Sequence, residues 1–470
     1  VVVAIVDTGA DWLHPDLTEN CWQNLGEDAD GDGVTLEFNN GVWERDPDDL
    51  NGIDDDGNGY IDDVIGWDFH EAISIDDGSN PDPLWNQGPF EHGTHCAGIS
   101  AGRTNNDIGI SSVSWNIKYM PIQTDDGNNT VLYGIDGVVY AAENGADVIS
   151  CSWYHGYAYS QFENDAIQYA IGLGSIVCFA ASNDNSADIA FPGGYPGVIS
   201  VAAVNPDDTR ASFSNYGIAV DIAAPGVSIL STITNNNYAS WNGTSMAAPM
   251  VAGLFGLLKS YQPDWSNDQL IEQIIGTADD IDFLNPDFEN ALGSGRINAY
   301  RALIDENVEV PQELRLEFRD IAFEDENANG AIEAGETVSI SFSLRNYAYL
   351  GTDNNTTISL ITFDPDIEII SGTTNVSIPL DSQVDLDNVF EFRVAEGAES
   401  HQAFFTIEVS SDMDITYGSE TEFAIAVAPS GFFVWEGEAG VGDYSGSYIR
   451  DFLEGMNYEV TYSNSFPSTF

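Results

Sequence analysis

Residues 1–305 repeat one pattern, and it leaves few folds open. Short apolar runs alternate with stretches of helical period. Val1–Val6, Ile117–Ile122, Asp147–Ser152, Ser175–Ala181, Val198–Val204 and Val220–Gly226 read as buried strands. Val131–Asn144 and Phe162–Leu173 read as helices between them, and Leu270–Ala278 and Ile297–Leu303 as helices that close the region. Strands alternating with helices are joined by crossovers, so the spacing predicts an α/β fold: a mostly parallel sheet flanked by helices, over 1–307. In such sheets sites gather at the carboxyl ends of strands. The first strand ends there in Asp7-Thr8-Gly9.

Past a linker near Val308–Pro311 the texture changes. Val338–Leu344, Ala403–Val409 and Phe423–Val427 alternate apolar and polar residues at period two. This predicts an antiparallel, Ig-like β-sandwich over 312–428. From 430 to 470 the pattern returns to α/β, with strands at Phe432–Trp435 and Tyr458–Tyr462 around a helix near Ser445–Met456. One such half cannot bury its own faces, so it reads as the cut beginning of a further domain. At the other end, residue 1 opens directly inside a strand, so the chain reads as an internal fragment of a longer polypeptide.

Charge narrows the partners. In 470 residues, 12 Lys and Arg face 77 Asp and Glu, a formal charge of −65. Such a chain should bind neither nucleic-acid phosphates nor anionic membranes, and no apolar run is long enough to insert in a bilayer. The 24 Phe, 20 Tyr and 10 Trp argue against disorder. Cys21, Cys96, Cys151 and Cys178 are too few for a disulfide scaffold and read as buried thiols.

Part of the acid is patterned. Asp54, Asp56 and Asn58 alternate ahead of Gly59, followed by the Tyr60 carbonyl and Asp62, as in the first half of a calcium loop. Asp28, Asp30 and Asp32 repeat the opening with a poorer ending. Asp325, Asn327, Asn329, the Ala331 carbonyl, Glu333 and Glu336 fit the full loop register, with Gly330 at the sixth position. The bland alternative for each is a solvated acidic turn.

Three side chains suggest acyl transfer. Asn242-Gly243-Thr244-Ser245 leads into an apolar helix, where unsatisfied N–H groups and the helix dipole favour an oxyanion. Pro249 is expected in or just past the first turn, where a missing N–H costs least. Alone, Ser245 could simply cap a core helix. His92 and His95 follow Glu91; zinc on a helix would want i, i+4 spacing and a third ligand, so general-base chemistry fits better. With Asp7 the set contains an acid, a base and a nucleophile. A lone Asp-Thr-Gly also occurs in aspartic proteases, but no second copy is present.

At this point the chain resembles the subtilisin-like serine proteases, the subtilases, whose triad runs in the order Asp, His, Ser. The matching segments are Asp7-Thr8-Gly9 with His14-Pro15-Asp16-Leu17, His92-Gly93-Thr94-His95-Cys96-Ala97-Gly98, and Gly243-Thr244-Ser245-Met246-Ala247-Ala248-Pro249. The resemblance covers about residues 1–305 and implies that His92 is the base, with His95 structural. It further implies Asn183 and the Ser245 N–H as oxyanion donors. Gly127, Asn128 and Asn129, with Ser152, Trp153 and Tyr154, would hold the substrate strand, and Ala190 would floor the primary pocket. Asp16, Asn106 and the backbone of Ile108 and Ile110 would form a calcium site. Tyr154 and Ser182 both stand where the family usually has Gly, and the usual N-terminal extension of the first strand is missing. The expectation is a secreted or cell-surface monomeric endopeptidase acting on polypeptides. It would be stabilised by calcium, need no catalytic cofactor, and have its pro-segment outside this chain. The alternatives are a catalytically silent subtilase-like adhesion protein, and an esterase or peptide ligase using the same triad.

Overall fold

The computed structural model describes residues 1–70, 82–84, 91–126, 130–306, 308, 313–348, 355–379, 382–428, 432–435 and 460–463. Gly127, Asn128 and Asn129 lie outside the described residues, as does the expected helix at 445–456. The chain divides into two compact units, with the main boundary at Gln312/Glu313.

In chain order, the first unit holds β1 (Val2–Asp7), the hairpin β2 (Leu36–Asn39) and β3 (Val42–Arg45), β4 (Trp67–Asp68), α1 (His92–Ala101), β5 (Lys118–Gln123), α2 (Gly134–Glu143), β6 (Val148–Cys151), α3 (Gln161–Gly172) and β7 (Ile176–Ala180). There follow β8 (Val198–Val204), β9 (Ile222–Pro225), the hairpin β10 (Ile229–Ile233) and β11 (Asn237–Trp241), α4 (Thr244–Tyr261), α5 (Asn267–Gly276) and α6 (Ala299–Ile304). Seven strands form one sheet in the order β4-β5-β1-β6-β7-β8-β9, parallel at every pairing. The expected parallel sheet is therefore present.

Alternation along β1 sends Val3 and Ile5 to one face and Ala4 and Val6 to the other. Each face has its own core. One packs against α1 and α4 through Ala97, Ile99, Val251, Leu254 and Phe255, the other against α2 and α3 through Val138, Tyr140 and Ile167. Burying side chains of this size is worth roughly 1.5–3 kcal/mol each. All four cysteines are free and buried. Among the described residues no helix is long and apolar enough to cross a membrane.

The second unit stacks two sheets on one apolar core. One has the order Ile367–Ser371 (β15), Ser382–Val394 (β17), Thr337–Asn346 (β13), Glu313–Asp325 (β12) and Asp414–Tyr417 (β19). The other is Thr373–Ser377 (β16), Asn355–Ile361 (β14), His401–Ser410 (β18) and Glu420–Val427 (β20). Phe392 of β17 and Phe405 of β18 meet across the core with ring centroids 4.9 Å apart. One pairing departs from expectation: β12 and β19 run parallel. These strands are far apart in sequence, so no hairpin forces them antiparallel. In the tail, β21 (Phe432–Trp435) and β22 (Val460–Ser463) pair in parallel, as a crossover between them requires.

Candidate active site

Asp7 ends β1 and is 2 % exposed. The helix carrying His92 must pass close to it, and Gly93 permits this. A Cβ at Gly93 would lie 2.1 Å from the Gly9 carbonyl oxygen, so any larger residue would push α1 off the end of β1. The Gly93 N–H donates to Thr8 Oγ1 at 3.0 Å. His92 Nδ1 consequently sits 2.8 Å from Asp7 Oδ1 and 3.0 Å from Oδ2, while the Thr8 N–H donates to Oδ1. With Nδ1–H given to the carboxylate, Nε2 keeps the lone pair of a base. Burial works against charge on this imidazole, but the Asp7 carboxylate and the nearby Cys96 outweigh it and hold its pKa well above the usual histidine value.

His95, one turn further, has a different fate. It is buried, stacks on Trp241 at 4.5 Å and 6°, and places Nε2 3.1 Å from the Ala239 carbonyl. Burial pushes its pKa down to about 4, so it stays neutral. Its partners come from the β10–β11 hairpin, which sequence reading missed. The same hairpin gives Ser231 and Thr232 hydroxyls to the His95 and Thr94 carbonyls at 2.7 and 2.8 Å. A signal was available in Thr234-Asn235-Asn236: Asn tolerates positive φ, and both asparagines adopt it in this three-residue hairpin loop.

Ser245 is the second residue of α4. Its Oγ donates to the Ser152 carbonyl at 3.3 Å, so the hydroxyl must turn to reach His92. Pro249 is the sixth residue of the helix, just past its first turn. Lacking an N–H, it leaves the carbonyl four residues back, that of Ser245, without its helical partner. Ser152 Oγ at 3.0 Å and Cys96 Sγ at 3.4 Å donate to that carbonyl instead. Cys96 Sγ is also 3.9 Å from His92 Nδ1, so one thiol touches both the His92 ring and the Ser245 backbone. Asn183 Oδ1 accepts from both the N–H and Oγ1 of Thr244, at 2.9 and 3.0 Å. The amide nitrogen is thereby turned away from Thr244 and left available as a donor.

The segment after β6 pairs with 190–191: His155 N–H bonds the Phe191 carbonyl and Phe191 N–H bonds Gly156, both at 2.8 Å. This sets Tyr154 and the buried Ala190 on neighbouring segments. Trp153 faces inward; its indole donates to the Val6 carbonyl at 2.8 Å, so only its backbone can meet a substrate. Tyr154 and Tyr157 hydroxyls and Ser182 Oγ all donate to Asp184 Oδ2, at 2.9, 2.6 and 2.9 Å. These bonds hold Asp184 below its ordinary pKa, that from Tyr157 first. Ser182 has φ +87°, a conformation that costs a non-glycine residue, and the bond to Asp184 offsets part of it.

The sequence profile of the subtilase family matches residues 1–295. The chain belongs to this family. It is 37% identical over 303 residues to a thermophilic serine proteinase of Bacillus sp. strain AK1, covering 64% of this chain and 61% of that protein. Thermitase of Thermoactinomyces vulgaris is 39% identical over 242 residues, covering 51% and 81%. The halolysin-like extracellular serine protease Nep of Natrialba magadii is 35% identical over 305 residues, covering 64% and 47%. The chain thus spans about three fifths of the first relative and under half of the third. A solved protease of Pseudoalteromonas arctica aligns with a TM-score of 0.49 at 28% identity, over 64% of this chain and 89% of that one.

The subtilase unit also gathers its acidic residues. Asp16 is fully buried, and its carboxylate accepts from Asn106 Nδ2 at 2.6 Å, Ile110 N–H at 2.9 Å and Tyr238 Oη at 2.8 Å. Ile108 belongs to the same turn through its N–H to Asn106 Oδ1. In the Asp54 loop, the N–H groups of Gly57, Asn58 and Gly59 converge on Asp54, and the Tyr60 N–H on Asn58. Asp62 does not join them; it turns to the Gly52 N–H. Glu27 and Asp63, which the sequence reading overlooked, come within 4.8 Å of Asp56 instead. Both are fully buried, and burial pushes each up to about 7. Glu27 could not be found from spacing, because it reaches the loop from 27 residues upstream of Asp54.

The Asp28 loop repeats the Asp54 pattern, with Gly31, Asp32 and Gly33 N–H groups on Asp28. In the second unit, Asn329 and Gly330 N–H groups bond Asp325, and Ala331 N–H bonds Asn329. Glu336 accepts from Asn327 Nδ2 and from the Glu333 N–H, and Asn327 Nδ2 also reaches Glu333, so these three of the expected residues meet.

Proposed function

We propose that this chain is a secreted serine endopeptidase that cleaves peptide bonds through Asp7, His92 and Ser245. The observation that carries the reading is the two-oxygen contact of Asp7 with His92 Nδ1, which makes Nε2 the basic nitrogen of the neutral ring. Ser245 Oγ turns from the Ser152 carbonyl, gives its proton to Nε2 and attacks the substrate carbonyl. Asp7 stabilises the imidazolium formed. The Asn183 amide and the Ser245 N–H donate to the oxyanion. His92 then passes the proton to the leaving amine, and water repeats the sequence on the acyl-enzyme. Substrate lies as an added strand along the backbone of Ser152–Tyr154, with the side chain before the cut toward Ala190.

Calcium enters as a structural ion only. Glu27 and Asp63 are buried carboxylates with another carboxylate alongside, and a hard cation with oxygen ligands relieves that arrangement. With Asp54, Asp56, Asn58 and the Tyr60 carbonyl they would hold one ion, with Asp63 in the role first expected of Asp62. Asp325, Asn327, Asn329, Ala331, Glu333 and Glu336 would hold another on an Ig-like sandwich. Asp16, Asn106, Ile108 and Ile110 would hold a third. The bound ion would stiffen its loop and take no part in the chemistry.

A silent adhesion protein sharing the fold would need none of these triad contacts, and an esterase or ligase would need all of them. Hydrolysis of a protein substrate such as casein by the full chain, beside Ser245→Ala, decides. Proteolysis abolished by the substitution supports the reading; equal activity in both, or ester cleavage alone, overturns it.

A further inference from the structure

The turn joining β14 to β15 faces the first residue of β18 and brings Asp364 and Asp366 to His401. His401 Nδ1 lies 2.7 Å from the Glu399 carbonyl oxygen. A carbonyl only accepts, so Nδ1 carries the hydrogen, and in the neutral ring Nε2 holds a lone pair. That lone pair faces Asp364 Oδ2 at 2.8 Å, itself an acceptor. Two acceptors at this distance require a positive charge: a proton on the ring, or a cation between them.

Asp366 distinguishes the two. One ligand atom from each of Asp364, Asp366 and His401 lies within 4.8 Å of the others. Among the described residues no hydrogen-bond donor reaches the Asp366 carboxylate. A proton on Nε2 bonds Asp364 alone and meets Asp366 only through space; a metal ion would bond all three. The positions are also braced. Thr362 Oγ1 donates to the Phe404 carbonyl at 2.7 Å, the Asp366 N–H to Asp364 Oδ1 at 2.9 Å, and the Ala395 N–H to the Asp366 carbonyl at 2.8 Å. An imidazole whose other nitrogen is fixed on a backbone carbonyl is the usual outer support of a metal-bound histidine.

We propose that His401 Nε2 and one oxygen each from Asp364 and Asp366 form a binding site for a zinc-class divalent ion on the second unit, with water completing the shell. A ring nitrogen with two carboxylates suits zinc or a neighbouring transition ion better than calcium, which prefers the all-oxygen loops. Access is open: the His401 and Asp364 side chains are 31% and 11% exposed, and Asp364 lines a surface cavity of about 550 Å³ with Phe363, Phe404 and Glu422.

The test is calorimetric titration of zinc chloride into the full chain, carrying Ser245→Ala against self-digestion and saturated with calcium. His401→Gln and Asp366→Asn should each weaken one zinc equivalent by at least tenfold. Asp366→Asn leaves the His401–Asp364 contact in place and should keep the metal-free melting temperature, so its loss of zinc cannot be laid to unfolding. Cobalt in place of zinc should give a visible absorption band that both variants abolish. Zinc isotherms identical in all three proteins overturn the site. So does loss of the equivalent in His401→Gln alone, since the third ligand would then be wrong.

Discussion

The Asp7 corner and the Asp54 loop handle charge in opposite ways. At the corner, the Asp7 carboxylate meets the His92 imidazole, and the groups around them are backbone amides, hydroxyls and a thiol. In the loop, Glu27, Asp56 and Asp63 meet one another. With 12 basic residues against 77 acidic ones, the chain has few internal cations to spare. At the proposed catalytic corner it supplies its own counter-charge. In the proposed calcium loops that charge must come from outside, so removing a partner should hurt catalysis in the first region and stability in the second.

The largest effect belongs to the corner. Ser245→Ala and His92→Ala should each cost about 10⁵-fold or more in kcat, with the melting temperature in calcium nearly unchanged. Peptide turnover read in initial rates checks this, and a loss below a hundredfold would break the contrast.

Asp7→Asn should cost about 10⁴-fold and move the pH profile. In the native protein, His92 is held protonated to a pH above the ordinary 6.5, so kcat/KM should rise with pH through that raised value. Removing the carboxylate removes the largest upward pull, and the acid limb should shift to lower pH. A limb that stays in place would show that Asp7 does not set the His92 charge.

A middle-sized effect is expected at Asn183. Asn183→Ala should lower kcat about 10²–10³-fold with little change in KM. Thr244→Val, which removes one of the two bonds orienting Asn183, should cost about tenfold or less, because the Thr244 N–H remains.

Calcium removal should act only on the second side of the contrast. At free calcium about a hundredfold above Kd, each site adds about 2.7 kcal/mol. Chelator should therefore lower the melting transition of each unit. Glu27→Gln should blunt the calcium response of the first unit and Glu336→Gln that of the second. Scanning calorimetry with and without calcium reads both, and a response common to the two variants would show that the loops are not independent.

The smallest effect is in specificity. Cleavage after medium apolar or aromatic residues should be favoured over cleavage after Asp or Glu, by severalfold and more at low salt, given the negative field. Profiling a mixed peptide library checks the ratio, and dominant cuts after acidic residues would contradict it.

Much of this was legible in local sequence. The parallel sheet followed from the alternation of apolar runs and helical stretches, and β1, β5 and β8 fall where that period put them. The meeting of Asp7 with His92 was readable because each sits in a compact motif with its own backbone requirements, Gly93 against Gly9 above all. What stayed hidden depends on distant segments. Trp241 stacks on His95 from a hairpin some 140 positions away, and Ser152 and Cys96 answer the carbonyl that Pro249 releases. Glu27 reaches its loop only through the fold, and the parallel β12–β19 edge has no local signature. The inward turn of Trp153 is likewise set by the Val6 carbonyl on another strand.

The most direct measurement is active-site labelling with a peptidyl phosphonate, followed by mass spectrometry of the labelled chain. If Asp7 and His92 activate Ser245, the native protein acquires one phosphonyl group, on the peptide containing Ser245. His92→Ala then labels at least a thousandfold more slowly, and Ser245→Ala acquires none. An adduct on another serine, or equal labelling in His92→Ala, would contradict the assignment of this corner as the catalytic site.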